Sequence, residues 1–112
     1  MPRHMSFALT EAQIRNQTKT VTRRKGWLFL KPGDIVIAVN KSQGLKKGEH
    51  PVKLATLRVV SARRERLCDI SSDDCRREGF PYFTPPEFTL FYMRHNGGFH
   101  DDEVTRIEFE YI

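Results

Sequence analysis

The segment Thr18–Lys25 brings four cationic side chains and three hydroxyl groups together within eight residues. Groups of these types could bind an anionic ligand or carry acid–base chemistry if the fold gathers them in one pocket. In an extended segment Lys19 and Thr22 point to opposite faces, because side chains alternate along a strand. A shared pocket therefore requires a bend or bulge near Val21. The alternative is a basic edge strand, in which lysines discourage edge-to-edge aggregation.

Further basic and aromatic residues could extend such a site towards a nucleic acid. Lys46 and Lys47 lie in a loop flanked by glycines, where they are free to reach phosphates. Arg63 and Arg64 follow a predicted strand, and they form either a nucleic-acid contact or a solvated face. Trp27 either stacks a base at the pocket mouth or closes the rim of the fold.

Charge is distributed unevenly along the chain. Residues 1–66 carry 15 Lys and Arg against 4 Asp and Glu, whereas residues 67–112 carry 4 against 10, and the net charge of the chain is +5. Together with a pI of about 9.5, this asymmetry favours a basic face for a polyanion or a nucleotide. The alternative is a solvated basic surface that the acidic half partly neutralises.

Size and composition exclude several classes of protein. A chain of 112 residues has room for one core, so we expect a single domain over residues 1–112. No apolar run approaches the roughly 20 residues of a membrane span. The N-terminal residues lack the apolar segment of a secretory signal, which predicts a cytoplasmic protein, and we expect a monomer. Cys68, Cys75 and the four histidines lack the spacing of zinc ligands, so we expect no metal and no cofactor.

Two helices have clear start signals. Thr10 and Gln13 form a Thr-x-x-Gln capping box that predicts a helix over residues 11–17. Thr84 and Glu87 form a second capping box, with Pro85 at the first helical position. In that second helix the i, i+3, i+4, i+7 spacing predicts one buried stripe of Phe88, Phe91, Tyr92 and His95, ending before Asn96-Gly97-Gly98. A shorter helix begins near Ser71 and ends before Gly79.

Three strands are predicted from β-branched and alternating runs. They cover residues 35–39, 52–62 and the C-terminal segment, where Ile107, Phe109 and Tyr111 alternate with a solvated face of Arg106, Glu108 and Glu110. Several strands with two or three short helices predict an α+β fold, with a small barrel-like sheet and helices at its ends.

The order of these motifs resembles the ASCH domain, a branch of the PUA-like superfamily. That family has a helix, then a G-x-K-x-x-[T/E]-x-R signature, then a strand opened by P-G-D. Lys19, Thr22 and Arg24 match the signature, Gln17 stands at the glycine position, and Pro32-Gly33-Asp34 follows. The resemblance continues through Arg77–Phe80 and Thr84–Phe88 to the strand around Phe109.

The resemblance implies a PUA-like small β-barrel that binds RNA or a modified nucleoside. Some small ASCH proteins are amidohydrolases that remove the acetyl group from N4-acetylcytidine without a metal. Their lysine, threonine and glutamate correspond here to Lys19, Thr22 and Glu78, although Glu78 is equally a helix-end carboxylate paired with Arg76 or Arg77. A ribonuclease acting on single-stranded RNA is a third possibility. The expected binding residues are Arg23, Arg24, Trp27, Lys46, Lys47, Arg63 and Arg64.

Overall fold

A computed structural model of the chain describes residues 2–112. The strands are β1 (Arg3–Ser6), β2 (Val21–Arg24), β3 (Ile35–Val39), β4 (Lys53–Arg66) and β5 (Glu103–Tyr111). The helices are α1 (Glu11–Arg15), α2 (Ser72–Arg77) and α3 (Pro85–Asn96), and a single 3₁₀ turn (Leu67–Asp69) precedes α2. The strands form one curled sheet in the order β1-β3-β4-β5-β2, in which only the β1–β3 pair is parallel. This is the predicted α+β, PUA-like architecture.

The sheet curls because β4 is long and interrupted. Its 14 residues pair with β3 at one end and with β5 along most of its length. The register shifts between Val59 and Ser61, so Val60 is an extra residue that bends the strand. The turn at Gly33 is fixed to this bend, since the Gly33 amide donates to the Val59 carbonyl and the Val59 amide to that of Asp34, both at 2.8 Å.

Two apolar clusters flank the curled sheet. One lies inside the curl and includes Phe7, Ile14, Leu57, Ile107 and Phe109. The other joins α2 and α3 to the end of the sheet, with Leu67, Cys75, Phe80, Phe88, Tyr92 and Val104 among its members. β2, α2 and β5 also contribute buried charged side chains. No helix within residues 2–112 is long and apolar enough to cross a bilayer.

The helix predictions for α2 and α3 are confirmed, and those for α1 and the α3 stripe need correction. The Thr84 capping box forms with Glu87, and the Ser71 side chain caps α2. Thr10 occupies the N-cap of α1 but makes no side-chain cap bond, because its ψ of 31° departs from the extended conformation of an N-cap residue. The Gln13 side chain donates to the Gly79 carbonyl at 3.4 Å. In α3 the predicted buried stripe ends at Tyr92, because His95 is exposed.

Two strand predictions also need correction. The strand predicted over residues 52–62 runs on to Arg66, because pairing with β5 extends it. Arg106 was predicted on a solvated face and is buried, because α2 covers that end of β5 and places Asp74 against it. The short strand β1 was not predicted.

Candidate active site in a basic pocket

A pocket of about 340 Å³ opens between β2, α3 and the segment that joins β1 to α1. Its lining includes Lys19, Thr22, Arg23 and Arg24 from the basic segment, and Glu78 from the end of α2. The structure therefore gathers the expected Lys19, Thr22 and Glu78 around one cavity. Lys25 also lines it, so the lining carries four cations against one carboxylate.

The end of α1 turns Lys19 into the pocket. Gln17, at the glycine position of the ASCH signature, has a left-handed φ of 62°. The Thr18 amide donates to the Gln13 carbonyl at 3.0 Å and the Gln17 amide to that of Ile14 at 3.2 Å, which is the Schellman pattern of a helix C-terminus. Lys19 thus precedes β2, and no bulge at Val21 is needed to bring it into the same pocket as Thr22.

Lys19 is bound by Glu78, which follows α2 and lies 59 residues later in the chain. Its ammonium donates to Glu78 Oε1 at 2.7 Å and to the Glu78 carbonyl at 2.8 Å. Both side chains are buried. Burial lowers the pKa of Lys19, and Arg24 and Arg23 act in the same direction, whereas Glu78 opposes the shift. The group is therefore easier to deprotonate than an ordinary lysine, as a general base requires.

Arg23 is the centre of a buried ionic network. It donates to Glu78 Oε2 at 3.0 Å, to Glu65 Oε2 at 3.0 Å and to Asp74 Oδ2 at 2.5 Å. Asp74 also accepts two bonds from Arg106, at 2.7 and 3.1 Å. Burial acts to raise the pKa of Asp74, but the hydrogen bonds from these two arginines outweigh it and hold the pKa far below its usual range. The network fixes the position of Glu78 and so of Lys19.

Arg23 has one unsatisfied donor. Its Nε is buried and has no hydrogen-bond partner among the described residues. An unpaired buried donor is costly, and a buried water or a ligand acceptor would relieve that cost.

Arg24 faces the pocket without a carboxylate partner among residues 2–112. Its guanidinium donates to the Ser6 carbonyl at 2.6 Å and to Thr22 Oγ1 at 3.2 Å, and it lies 4.7 Å from the centre of the Phe7 ring. Burial lowers the pKa of Arg24 to about 10, so it remains charged at neutral pH. Its positive charge is therefore available to bind an anion or a polarised carbonyl group of a ligand.

Thr22 is buried at the base of the pocket. Its oxygen accepts from Arg24, and none of the described residues accepts its proton. It makes no hydrogen bond to Lys19 in this geometry. The arrangement places a hydroxyl, a buried lysine and an arginine donor around one space, which are the components of acyl transfer.

The opposite wall of the pocket is aromatic. Phe80, Phe88, Phe91 and Tyr92 line it from α3 and the preceding segment. Phe7, which follows β1, lines the pocket next to Arg24. Burial raises the pKa of Tyr92, so its phenol is neutral at physiological pH. A flat, unsaturated ring can stack against such a wall while its polar edge faces the cations.

The other predicted binding residues do not line this pocket. Trp27 packs against the core inside the curl and against Phe29, at a ring-centre distance of 5.5 Å. Arg64 joins β4 to β5, donating to Thr105 Oγ1 at 2.9 Å, and Arg63 pairs with Glu65. Lys46 and Lys47 lie in the loop between β3 and β4.

Sequence reasoning missed the aromatic wall and the network around Asp74. The segment Phe80–Phe83 contains three aromatic residues in four positions, which is a visible signal of a wall or a binding surface. Asp74 and Arg106 gave no comparable signal, because each is an ordinary charged residue in its own element. Among residues 2–112 no group of three or more His, Cys, Asp and Glu could hold a metal ion.

Comparison with solved structures identifies the fold. The chain is similar to the ASCH domain from Lactobacillus crispatus JV V101, with a TM-score of 0.67, 12% identity, and coverage of 97% of this chain and 78% of that one. It is similar to protein EF3133 from Enterococcus faecalis V583, of family DUF984, with a TM-score of 0.64, 15% identity, and coverage of 100% and 76%. It is also similar to hypothetical protein PH0355, with a TM-score of 0.67, 20% identity and full coverage of both chains.

No protein-family model and no curated protein matches the sequence. The structural likeness nevertheless shows the class: this chain has the ASCH fold, a small PUA-like curled sheet with helices at its end. The ASCH resemblance predicted from the sequence motifs is confirmed at the level of the fold.

Proposed function

We propose that the pocket binds one nucleoside unit, either free or within RNA. The observation that carries this proposal is an aromatic wall together with the Arg24 guanidinium, which has no carboxylate partner among residues 2–112, in one cavity of about 340 Å³. This volume lies at the lower end of the range for small-molecule pockets, roughly 300–1,000 Å³, and suits a single base with its sugar. A base would stack on the aromatic wall and turn its carbonyl edge to Arg24.

The charge of the lining supports the same ligand class. Four cations against one carboxylate favour an electron-rich edge or a phosphate over a cationic ligand. Lys25, at the exposed margin, is placed to meet a phosphate or a sugar hydroxyl, and the half-buried Arg24 is placed to meet the base.

Calorimetric titration with cytidine, N4-acetylcytidine and uridine tests the proposal. We expect at least one of these nucleosides to bind, and Arg24→Gln to weaken that binding by at least tenfold. Arg58→Gln is the matched control, because Arg58 is an exposed arginine paired with Glu110. Equal affinity in both variants, or no binding by any nucleoside or short RNA, would contradict the proposal. For an RNA ligand the affinity should also fall as salt is raised, since phosphate contacts release counterions.

A second candidate function is metal-independent hydrolysis of an N4-acylated cytidine. The specific observation that favours it is the buried Lys19–Glu78 contact in the same pocket as the Thr22 hydroxyl. In this mechanism neutral Lys19 takes the Thr22 proton while Thr22 Oγ attacks the acyl carbon, and Arg24 stabilises the resulting oxyanion. The C–N bond then breaks, and the proton passes from Lys19 to the leaving amine.

Water completes the reaction. It attacks the Thr22 ester, Lys19 takes its proton, and the carboxylic acid leaves as the proton returns to Thr22 Oγ. The sum is amide plus water giving amine plus acid. Lys19 must move out of its contact with Glu78 to reach Thr22. After each cycle the attraction of Glu78 would return Lys19 to its starting position.

Chromatography of N4-acetylcytidine incubated with EDTA-treated protein tests this function. We expect cytidine to form, Lys19→Met and Thr22→Val to abolish its formation, and Thr22→Ser to retain part of it. Thr20→Val is the control, because Thr20 lies two residues away, does not line the pocket, and accepts from Arg77. Circular dichroism establishes that each variant is folded. Undiminished turnover in Thr22→Val would show that Thr22 is not the nucleophile and would rule out this mechanism.

A further inference from the structure

We propose that the nucleoside in the pocket belongs to a single-stranded RNA whose neighbouring base stacks on a row of rings beside the pocket mouth. This inference rests on the proposed function and names its ligand class. The row, called here the aromatic row, consists of Tyr82, Phe83, Phe91 and His95.

The rings of the aromatic row follow one another without a gap. The distances between ring centres are 5.0 Å from Tyr82 to Phe83, 5.5 Å from Phe83 to Phe91, and 4.7 Å from Phe91 to His95. Phe91 also lines the pocket. The row therefore meets the pocket wall at Phe91 and continues from it through Phe83 to Tyr82 on one side and to His95 on the other, where an adjacent base would meet it.

Packing of the core does not account for the outer rings. The buried aromatic side chains of α3 are Phe88 and Tyr92. Tyr82 is 71% exposed, with its ring edge-on to Phe80 at 6.2 Å, and His95 is exposed although its spacing along α3 had predicted burial. Exposed aromatic rings in line with a binding pocket are typical of proteins that bind single strands, because every base has a face that can stack.

The charges along the row suit a phosphate backbone. Arg94 lies three residues after Phe91, on the same side of α3, and forms no ion pair among the described residues. Lys25 lines the pocket at the His95 end of α3, where its ammonium donates to the Asn96 carbonyl at 2.6 Å. The acidic residue nearest the row in sequence on α3, Glu87, is occupied in capping the Thr84 amide. These charges favour a polyanion over a second protein chain.

The test compares three probes by calorimetry. They are N4-acetylcytidine, a pentanucleotide with N4-acetylcytidine between uridines, and the same pentanucleotide with abasic flanking positions. We expect the base-bearing pentanucleotide to bind about tenfold more tightly than the abasic one. Tyr82→Ala should remove this difference and leave the affinity for the free nucleoside unchanged, and Tyr82→Phe should retain it.

Phe99→Ala is the matched control, because Phe99 is also 71% exposed but is not part of the row. Equal affinity for the two pentanucleotides, or the same loss in Phe99→Ala as in Tyr82→Ala, overturns the inference while leaving nucleoside binding intact. Absence of binding by all three probes and by cytidine and uridine instead refutes the proposed function itself. Sedimentation that shows a dimer dissociated by Tyr82→Ala would assign the row to self-association and also overturn the inference.

Discussion

Lys19 Nζ lies 2.7 Å from Glu78 Oε1 and 2.8 Å from the Glu78 carbonyl, so the residue that follows α2 binds two of the three ammonium protons of Lys19. The other carboxylate oxygen of Glu78 accepts from Arg23 at 3.0 Å. Glu78 therefore joins the two buried cations that flank Thr22 along the chain. Removal of this carboxylate would leave both charges buried with fewer partners.

Glu78→Gln should lower the free energy of unfolding by about 3 kcal/mol, because breaking a buried ion pair leaves an uncompensated charge. Urea denaturation at pH 7 measures the change. The control is Glu110→Gln, which breaks the exposed pair with Arg58 and should cost less than about 1 kcal/mol. Similar losses in the two variants would contradict a structural role for the buried contact.

Asp74 should make stability depend on pH on the acid side. Its folded-state pKa lies far below the ordinary value of 3.8, because hydrogen bonds from Arg106 and Arg23 outweigh the effect of burial. The unfolded chain therefore binds a proton that the folded protein does not. The stabilisation from Asp74 is complete above about pH 5 and is lost as the pH falls through 3.8 towards the folded-state value.

Urea denaturation of wild type and Asp74→Asn between pH 7 and pH 3 measures this dependence. The difference in the free energy of unfolding should be greatest at pH 7 and should narrow as the pH falls. Asp73→Asn serves as the control, since Asp73 is an exposed residue paired with Arg76. A difference that stays constant over this range would show that Asp74 does not carry the dependence.

Arg24→Met should separate stability from binding. The guanidinium is half-buried against Phe7 without a carboxylate partner among residues 2–112, so its charge costs free energy that a methionine of similar length would not. We expect the free energy of unfolding to be unchanged or higher, and nucleoside affinity to fall at least tenfold. Denaturation and calorimetry measure the two effects, and a variant that unfolds more easily yet binds normally would contradict both expectations.

Gln17→Gly should stabilise the protein by about 1 kcal/mol. Gln17 has a φ of 62°, a conformation in which a side chain is disfavoured and glycine is not. Gln17→Ala retains a Cβ and should leave stability close to that of wild type, which separates the backbone effect from loss of the side chain. Thermal unfolding compares the three proteins, and an Ala variant as stable as the Gly variant would rule out backbone strain as the cause.

Helix ends could be predicted where the capping contacts are local. Thr84 and Glu87 satisfy each other within three residues, so the start of α3 is independent of the rest of the chain. Thr10 and Gln13 have the same spacing, but Gln13 contacts Gly79, 66 residues away, and the box does not form. A tertiary contact thus takes the Gln13 side chain that the local box would have used.

The buried network could not be predicted from sequence. Arg23 and Arg106 are directly opposite on β2 and β5, and Arg106 is opposite Arg63 on β4, so three arginines stand in a row across the sheet. The row is stable because α2 places Asp74 against two of these arginines, and Glu65 pairs with Arg23 and Arg63. Nothing in the separate elements indicates this neutralisation.

The sequence by itself determined the α+β class, the ASCH signature and the residues around which the site forms, because caps, alternation and motif spacing act over short distances. Only the tertiary structure decided that Lys19 and Thr22 share a cavity, that Glu78 holds Lys19, and that Trp27, Lys46 and Lys47 lie elsewhere. These relationships depend on strand register and on how α2 packs against the sheet. Both are set by contacts between residues that are far apart in the chain. In the buried part of the site each charge also requires a partner, because an unpaired buried charge is costly.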